Sequence, residues 1–88
     1  MTGEEARAAL AQNIRNHAKK RRISLREVAR RAGVSYSTLF NIVWGQHSAG
    51  LDRIARIAEV FGLDPWQILK PSKEFLAKRA NSADPGPP

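Results

Sequence analysis

Cysteine is absent from this chain of 88 residues. Its absence excludes disulfide bridges and cysteine-based zinc sites, and it is compatible with a reducing cytoplasm. Long hydrophobic runs are missing as well, because no apolar stretch approaches the roughly 20 residues that a membrane-spanning helix needs. The opening Met-Thr-Gly-Glu-Glu lacks the basic and apolar regions of a signal peptide. These absences favour a cytoplasmic protein that has no membrane partner.

Acidic residues are nearly missing from residues 15–31, where Glu27 is the only acid among eight Lys and Arg residues. This basic segment carries a charge equal to the net charge of +7 of the whole chain. Such a concentrated positive field attracts a polyanion, of which duplex DNA is the commonest. Charge alone also allows a simpler interpretation, namely a charged helix face that only keeps the protein soluble.

Two helices are predicted in the first part of the chain. Leu10, Ile14 and Ala18 recur every four residues, which is typical of the buried stripe of a helix. Ser24 and Glu27 have the spacing of a capping box, which predicts that helix 2 begins there.

Glycines and capping residues divide the rest of the chain into three further helices. Gly33 is expected to end helix 2, since glycine readily adopts the left-handed conformation at a helix terminus. Ser35 is expected to cap helix 3, and Asp64 followed by Pro65 is typical of the start of helix 5. The predicted spans of helices 3, 4 and 5 are residues 36–44, 51–61 and 65–69.

No window shows the alternation of a β-strand, so we predict an all-α fold. Residues 1–70 are expected to form a compact five-helix domain and residues 71–79 a C-terminal helical extension. Residues 80–88 contain three prolines and a glycine, which predicts a disordered tail. Helices 2 and 3, joined by a glycine-containing turn, have the pattern of a helix-turn-helix.

The outer face of helix 3 indicates what this unit binds. The major groove of B-DNA accepts one α-helix, whose N-terminal residues reach the base edges. Helix 3 meets that requirement, because Tyr36, Ser37 and Asn41 are expected to point outward while Leu39 and Ile42 point inward. Together with the basic segment, this arrangement predicts binding to double-stranded DNA.

Residues 10–69 resemble the Cro/repressor class of helix-turn-helix domains, found in phage repressors and many small bacterial regulators. The resemblance rests on Ile23-Ser-Leu-Arg-Glu-Val-Ala29, Ala32-Gly-Val-Ser35, Leu39-Phe-Asn-Ile42 before Gly45, Leu51-Asp-Arg-Ile-Ala-Arg-Ile-Ala58 before Phe61-Gly-Leu63, and Pro65-Trp-Gln-Ile-Leu69. It implies a repressor-like DNA-binding fold with the helix-turn-helix at helices 2 and 3.

The resemblance also implies roles for individual residues, with Tyr36, Ser37 and Asn41 reading bases. Leu25 replaces a glutamine that family members often use to bind phosphate, and the loop after helix 3 is less basic than usual. Basic residues of helices 1 and 2 are therefore expected to compensate. The expected contacts with the DNA backbone come from Thr38, Arg26, Lys19, Lys20, Arg22, Arg30 and His47.

Two departures from the family pattern predict local differences. Ala18 and Val43 occupy positions where many members pair an arginine with a glutamate. Because an apolar pair can replace a buried ion pair at little cost, we expect these two side chains to approach each other in the core. Arg22 stands where the family usually has glycine, so the end of helix 1 is expected to be shaped differently.

Aromatic and histidine side chains leave some alternatives open. Phe40 is expected either to touch a thymine methyl group or to pack on helix 2. Trp66 is expected to pack beneath helix 5. His17 and His47 lack partners at metal-ligand spacing, and no catalytic triad is visible, so we expect no metal, no cofactor and no enzymatic activity.

These observations predict a sequence-specific transcriptional regulator, and specifically a repressor that binds a palindromic operator as a homodimer. The candidate dimer interface consists of exposed side chains around helix 5, with the loop after Trp44 as a second candidate. Its residues are Trp66, Leu69, Phe75 and Leu76. The alternative is an antitoxin-like or adaptor module with a protein partner, for which DNA binding is secondary.

Overall fold

Six α-helices, and no β-strand, form the part of the chain that the computed structural model describes, which is residues 1–45 and 47–82 without the side chains of 79–82. The helices are α1 (Gly3–Arg21), α2 (Leu25–Ala32), α3 (Tyr36–Val43), α4 (Leu51–Val60), α5 (Pro65–Leu69) and α6 (Lys73–Ser82). The all-α class is therefore confirmed. Helices α1 to α5 form the predicted five-helix domain, with the helix-turn-helix at α2 and α3.

Side-chain caps explain where α1 and α2 begin. Thr2 and Glu5 form a reciprocal capping box, with N···O distances of 3.0 and 2.9 Å. Ser24 caps α2 by accepting a hydrogen bond from the backbone N–H of Glu27 at 3.1 Å. The capping box predicted at Ser24 is incomplete, because the bond from the Ser24 backbone N–H to the Glu27 side chain does not form. The Glu27 carboxylate is hydrogen-bonded to Arg30 and Arg31 instead. Bonds from charged guanidinium groups are stronger than a bond from a neutral backbone N–H.

The C-terminal extension is helical, but its boundaries differ from those expected from the sequence. Ser72 caps α6 by accepting a hydrogen bond from the backbone N–H of Phe75 at 3.0 Å. The helix continues through Ser82 and so includes the first three residues of the expected tail. No proline interrupts it before residue 85. Residues 83–88 of the expected tail lie outside the described residues.

A single hydrophobic core joins the five helices of the domain. It includes the inner face of α3, where Leu39 and Val43 are 0% exposed and Ile42 is 3% exposed. Ala18 and Val43 both belong to this core. Their predicted burial is confirmed, and no charge is left unpaired at these two positions because neither side chain is ionisable.

A buried amide fastens α1 to α5. The Asn13 side chain, 6% exposed, donates hydrogen bonds to the carbonyl oxygens of Ile68 and Lys70, both at 2.7 Å. These carbonyls lie at the end of α5, where no further helical turn supplies a donor. A five-residue helix is too short to be stable alone, so this bond contributes to holding α5 in place.

We expect Asn13→Ala to lower the free energy of unfolding by about 1–3 kcal/mol, because it leaves two carbonyl groups at the end of α5 without their donor. Urea unfolding followed by circular dichroism measures this change. Asn16→Ala, at an exposed position of the same helix, is the matched control and should stay within about 0.5 kcal/mol of the unmodified protein. Equal stability of the two variants would contradict this role for Asn13.

A second contact joins the end of α1 to the end of α4. The His17 ring stacks on the Phe61 ring with 5.5 Å between centroids. Arg21 Nη1 lies 2.7 Å from His17 Nδ1, and Arg21 Nη2 donates to the Phe61 carbonyl at 3.2 Å. Burial, and then the positive charges of Arg21 and Lys20, lower the pKa of His17 below its ordinary value of 6.5.

The lowered pKa of His17 predicts a loss of stability in mild acid. Because the unfolded chain binds this proton more readily, the stability is complete above about pH 6.5 and falls as the pH drops toward the lower pKa of the folded state. Unfolding in urea at pH 7.5 and at lower pH should show this loss in the unmodified protein and a smaller loss in His17→Gln. His47→Gln, in an exposed loop, should retain the full loss. An identical pH dependence of the two variants would rule out His17 as its source.

Candidate nucleic-acid interface

The start of α3 is set by Ser35. Its hydroxyl accepts a hydrogen bond from the backbone N–H of Thr38 at 3.1 Å and donates to the Thr38 hydroxyl at 2.7 Å. The Thr38 hydroxyl thereby keeps its own proton available to donate, for example to a phosphate oxygen. The cap thus orients the first turn of the helix, which is the turn that reaches base edges in a helix-turn-helix.

The residues expected to read bases are all at least partly exposed, on the side of α3 that faces away from the core. Ser37 is exposed, while Tyr36 and Asn41 are half-buried. The opposite side is formed by the buried Leu39, Ile42 and Val43. The structure therefore brings the three expected base readers to the surface of one helix, and base reading by them remains a prediction.

Three aromatic side chains form a row along α3 and its end. The ring centroids of Tyr36 and Phe40 are 6.0 Å apart, and so are those of Phe40 and Trp44. Phe40 is 42% exposed and Trp44 is 52% exposed. We call Tyr36, Phe40 and Trp44 the aromatic row. Its members contact one another because residues four apart are neighbours on a helix.

An arginine lies against each end of the aromatic row. The guanidinium carbon of Arg26 is 4.3 Å from the Tyr36 ring centroid, and that of Arg15 is 5.0 Å from the Trp44 ring centroid. Both distances lie within the range of cation–π attraction. Arg26, expected at the DNA backbone, therefore also supports the ring of an expected base reader.

Arg15 additionally fixes the end of α3. Its Nη1 donates a hydrogen bond to the carbonyl oxygen of Val43. A cation at this place interacts favourably with the negative end of the helix dipole and satisfies a carbonyl that has no partner within the helix. Arg15 therefore links α1 to the end of α3 through a hydrogen bond from its guanidinium group to a backbone carbonyl.

The basic segment is not uniformly available for a ligand. Arg15 and Arg21 bond carbonyl groups of α3 and of the residue after α4, respectively. Glu27 forms ion pairs with Arg30 and with Arg31, the latter at 2.7 Å. These two arginines lower the pKa of Glu27 to about 2, so Glu27 stays ionised at neutral pH and offsets part of their charge. The Arg30 side chain is still 72% exposed.

The end of α1 has the backbone shape that glycine favours, although its residue is Arg22. Arg22 has φ 56° and ψ 42°, a left-handed conformation, and its side chain is exposed beside those of Lys19 and Lys20. The expectation of a differently shaped end is therefore wrong. The local backbone bond from Ile23 N to Ala18 O, at 2.9 Å, closes the helix as in a glycine-ended helix, and Arg22 bears a strain of about 1–2 kcal/mol.

An open cavity of about 330 Å³ lies beside α3 and contains an arginine that sequence reasoning missed. Its lining consists of Thr38, Asn41, Ile42, His47, Ser48 and Arg53. Arg53 belongs to the first turn of α4, twelve positions after Asn41. Within α4 it is simply an exposed charged residue, and only the packing of α4 brings it next to three of the predicted DNA-contacting residues, Thr38, Asn41 and His47.

The expected dimer residues are exposed to different degrees. Trp66 is 63% exposed, Leu69 is 38% exposed and Leu76 is 45% exposed, while Phe75 is half-buried. The expectation that Trp66 packs beneath helix 5 is wrong. Ile68 fills that place and is 0% exposed, because α5 is short and turns a single side chain fully into the core.

The described residues contain no group of three or more His, Cys, Asp or Glu side chains placed to hold a metal ion. None of their helices combines the length and the apolar character of a bilayer-crossing segment.

Comparison with known proteins agrees with this geometry. A family model described as helix-turn-helix matches residues 14–65. The chain superposes on the clp gene regulator ClgR from Corynebacterium glutamicum with a TM-score of 0.73 and 23% identity, covering 89% of this chain and 80% of that one. It superposes on a hypothetical transcription factor, NHTF, from Neisseria with a TM-score of 0.75 and 26% identity, covering 89% and 91%.

None of the curated proteins matches the chain. The family model nevertheless spans more than half of the sequence, including the helix-turn-helix of α2 and α3, and both superpositions cover 89% of the chain. The chain therefore belongs to the Cro/repressor-type helix-turn-helix family of DNA-binding transcription regulators.

Proposed function

We propose that the protein is a cytoplasmic transcriptional repressor that binds a palindromic operator in double-stranded DNA as a homodimer. The observation that carries this proposal is the outer surface of α3, where Ser37, Asn41 and Tyr36 are accessible and arginines lie nearby. A polar helix face beside arginines suits the major groove, which offers hydrogen-bonding base edges between two phosphate backbones.

Base reading is assigned to Tyr36, Ser37 and Asn41, and backbone contact to two groups around them. The first group is the exposed end of α1 with the nearby arginines of α2, comprising Lys19, Lys20, Arg22, Arg26 and Arg30. The second group is Thr38, His47 and Arg53, which line the cavity beside α3. Contacts with phosphates fix the orientation of the helix in the groove and carry no sequence information themselves.

A homodimer is proposed because one recognition helix reads only a few base pairs. Two copies on half-sites about 10 base pairs apart give useful specificity. The exposed side chains of Trp66, Leu69 and Leu76 provide apolar surface on α5 and α6, and exposed apolar surface of this kind commonly marks a protein interface. Phe75, which is half-buried, is included in this proposed interface.

A second candidate function is that of an antitoxin-like or adaptor module. The aromatic row favours it, since Phe40 and Trp44 expose apolar rings on the same helix that carries the proposed base readers. The arginines at both ends of the row favour a polyanionic ligand instead, and we therefore rank DNA binding first.

Selection of bound sequences from a random duplex pool tests the proposed function. We expect enrichment of a palindrome whose half-sites are about 10 base pairs apart from centre to centre. A single enriched half-site would support DNA reading but contradict the homodimer. Binding without any enriched sequence would contradict a sequence-specific regulator and favour the adaptor function.

Arg53→Ala should weaken binding to all duplex sequences alike and reduce the slope of log affinity against log salt by about 0.9, because one phosphate contact is lost. Fluorescence anisotropy at several salt concentrations measures both quantities. Arg56→Ala removes the same charge one turn later in α4, outside the cavity beside α3, and should change the slope less. Equal slopes for the two variants would show that Arg53 acts only through net charge.

A further inference from the structure

No residue of α3 carries a charge: its sequence is Tyr-Ser-Thr-Leu-Phe-Asn-Ile-Val. In the major groove, guanine is typically read by Arg or Lys at O6 and N7, and the amino group of cytosine by Glu or Asp. The helix has neither kind of reader. Its accessible groups are the Asn41 amide, the hydroxyls of its first turn and the aromatic row. These groups suit the two bases of an A·T pair.

Asn41 is the member of this set that suits adenine. An Asn amide donates to N7 and accepts from the N6 amino group of the same adenine, a bidentate pairing. Asn41 is half-buried at the edge of the cavity beside α3. Within the described residues its side-chain amide makes no hydrogen bond, so its donor and acceptor are available to a base.

Phe40 is the member that suits thymine. The 5-methyl group of thymine is the distinctive apolar feature of the major-groove base edges. Phe40 is 42% exposed and does not belong to the hydrophobic core cluster. Its ring lies between the rings of Tyr36 and Trp44, which restrict its movement. A ring held in this way loses little conformational freedom on binding, so its contact with a methyl group contributes more to affinity.

We propose that α3 reads A·T pairs, with Asn41 paired to an adenine and Phe40 packed against the 5-methyl group of a neighbouring thymine. Phe40 and Asn41 are adjacent in the chain and lie about 100° apart around the helix, so they reach neighbouring base pairs rather than one base. This inference rests on the proposed function and deepens it by naming the bases that the helix recognises.

Base analogues placed in the selected operator test both contacts. Deoxyuridine in place of thymidine removes only the methyl group. At one position of each half-site we expect this substitution to lower the affinity of the protein for the operator about fourfold, as expected for one apolar carbon. 7-Deazaadenine removes only the N7 acceptor, and we expect a loss of about fivefold to tenfold at a neighbouring position.

Variants assign each contact to its side chain. Phe40→Ala should bind the thymidine and deoxyuridine operators equally, and Asn41→Ala should bind the adenine and 7-deazaadenine operators equally. Phe40→Leu, which keeps an apolar side chain, should retain part of the preference for thymidine. Asn16→Ala, at an exposed position of α1, is the control and should keep both preferences. Thermal unfolding of each variant verifies that it is folded.

The possible failures are distinguishable. If selection enriches no sequence, the proposed function fails and this inference fails with it. If selection succeeds but the discriminated positions are G·C pairs, or no deoxyuridine or 7-deazaadenine substitution reduces binding, the protein is a sequence-specific regulator and the inference is wrong. A thymidine preference that persists in Phe40→Ala would overturn the role of Phe40 alone.

Discussion

The burial of one face of α3 is the constraint on which the proposed interface depends. The helix has only eight residues, and Leu39, Ile42 and Val43 must enter the core together. Once those three side chains are buried, the helix cannot rotate about its axis without exposing one of them, which costs about 1.5–3 kcal/mol for a full side chain. The directions of Ser37 and Asn41 are therefore consequences of hydrophobic packing on the other side.

Electrostatic contacts complete this arrangement by dividing the basic segment between two tasks. Arg15 and Arg21 fasten α1 to the ends of α3 and α4 through carbonyl oxygens, and Glu27 offsets part of the charge of two arginines in α2. The cations at the end of α1, Lys19, Lys20 and Arg22, remain exposed. Part of the positive charge of the basic segment is therefore engaged within the protein, and we expect fewer phosphate contacts than its eight basic residues suggest.

Local sequence signals predicted the helices better than the contacts between the helices. Capping residues and glycines located the starts and ends of the helices, because they act on backbone groups within one turn. The exposure of Trp66 was predicted wrongly, since Trp66 and Ile68 are both apolar residues of one short helix and only the position of α5 against α1 decides which is buried. Arg53 was missed for a similar reason, because α4 has to pack before its first turn lies beside Asn41.

The sequence by itself determined the all-helical class, the place of the helix-turn-helix and the absence of charge on α3, since helix periodicity, caps and residue chemistry are properties of neighbouring residues. Only the tertiary structure decided that Arg15 and Arg21 bond distant carbonyl groups, that Asn13 holds the end of α5, and that the aromatic row lies between two arginines. Those contacts join residues far apart in the chain. Their geometry follows from the packing of whole helices, which no local pattern specifies.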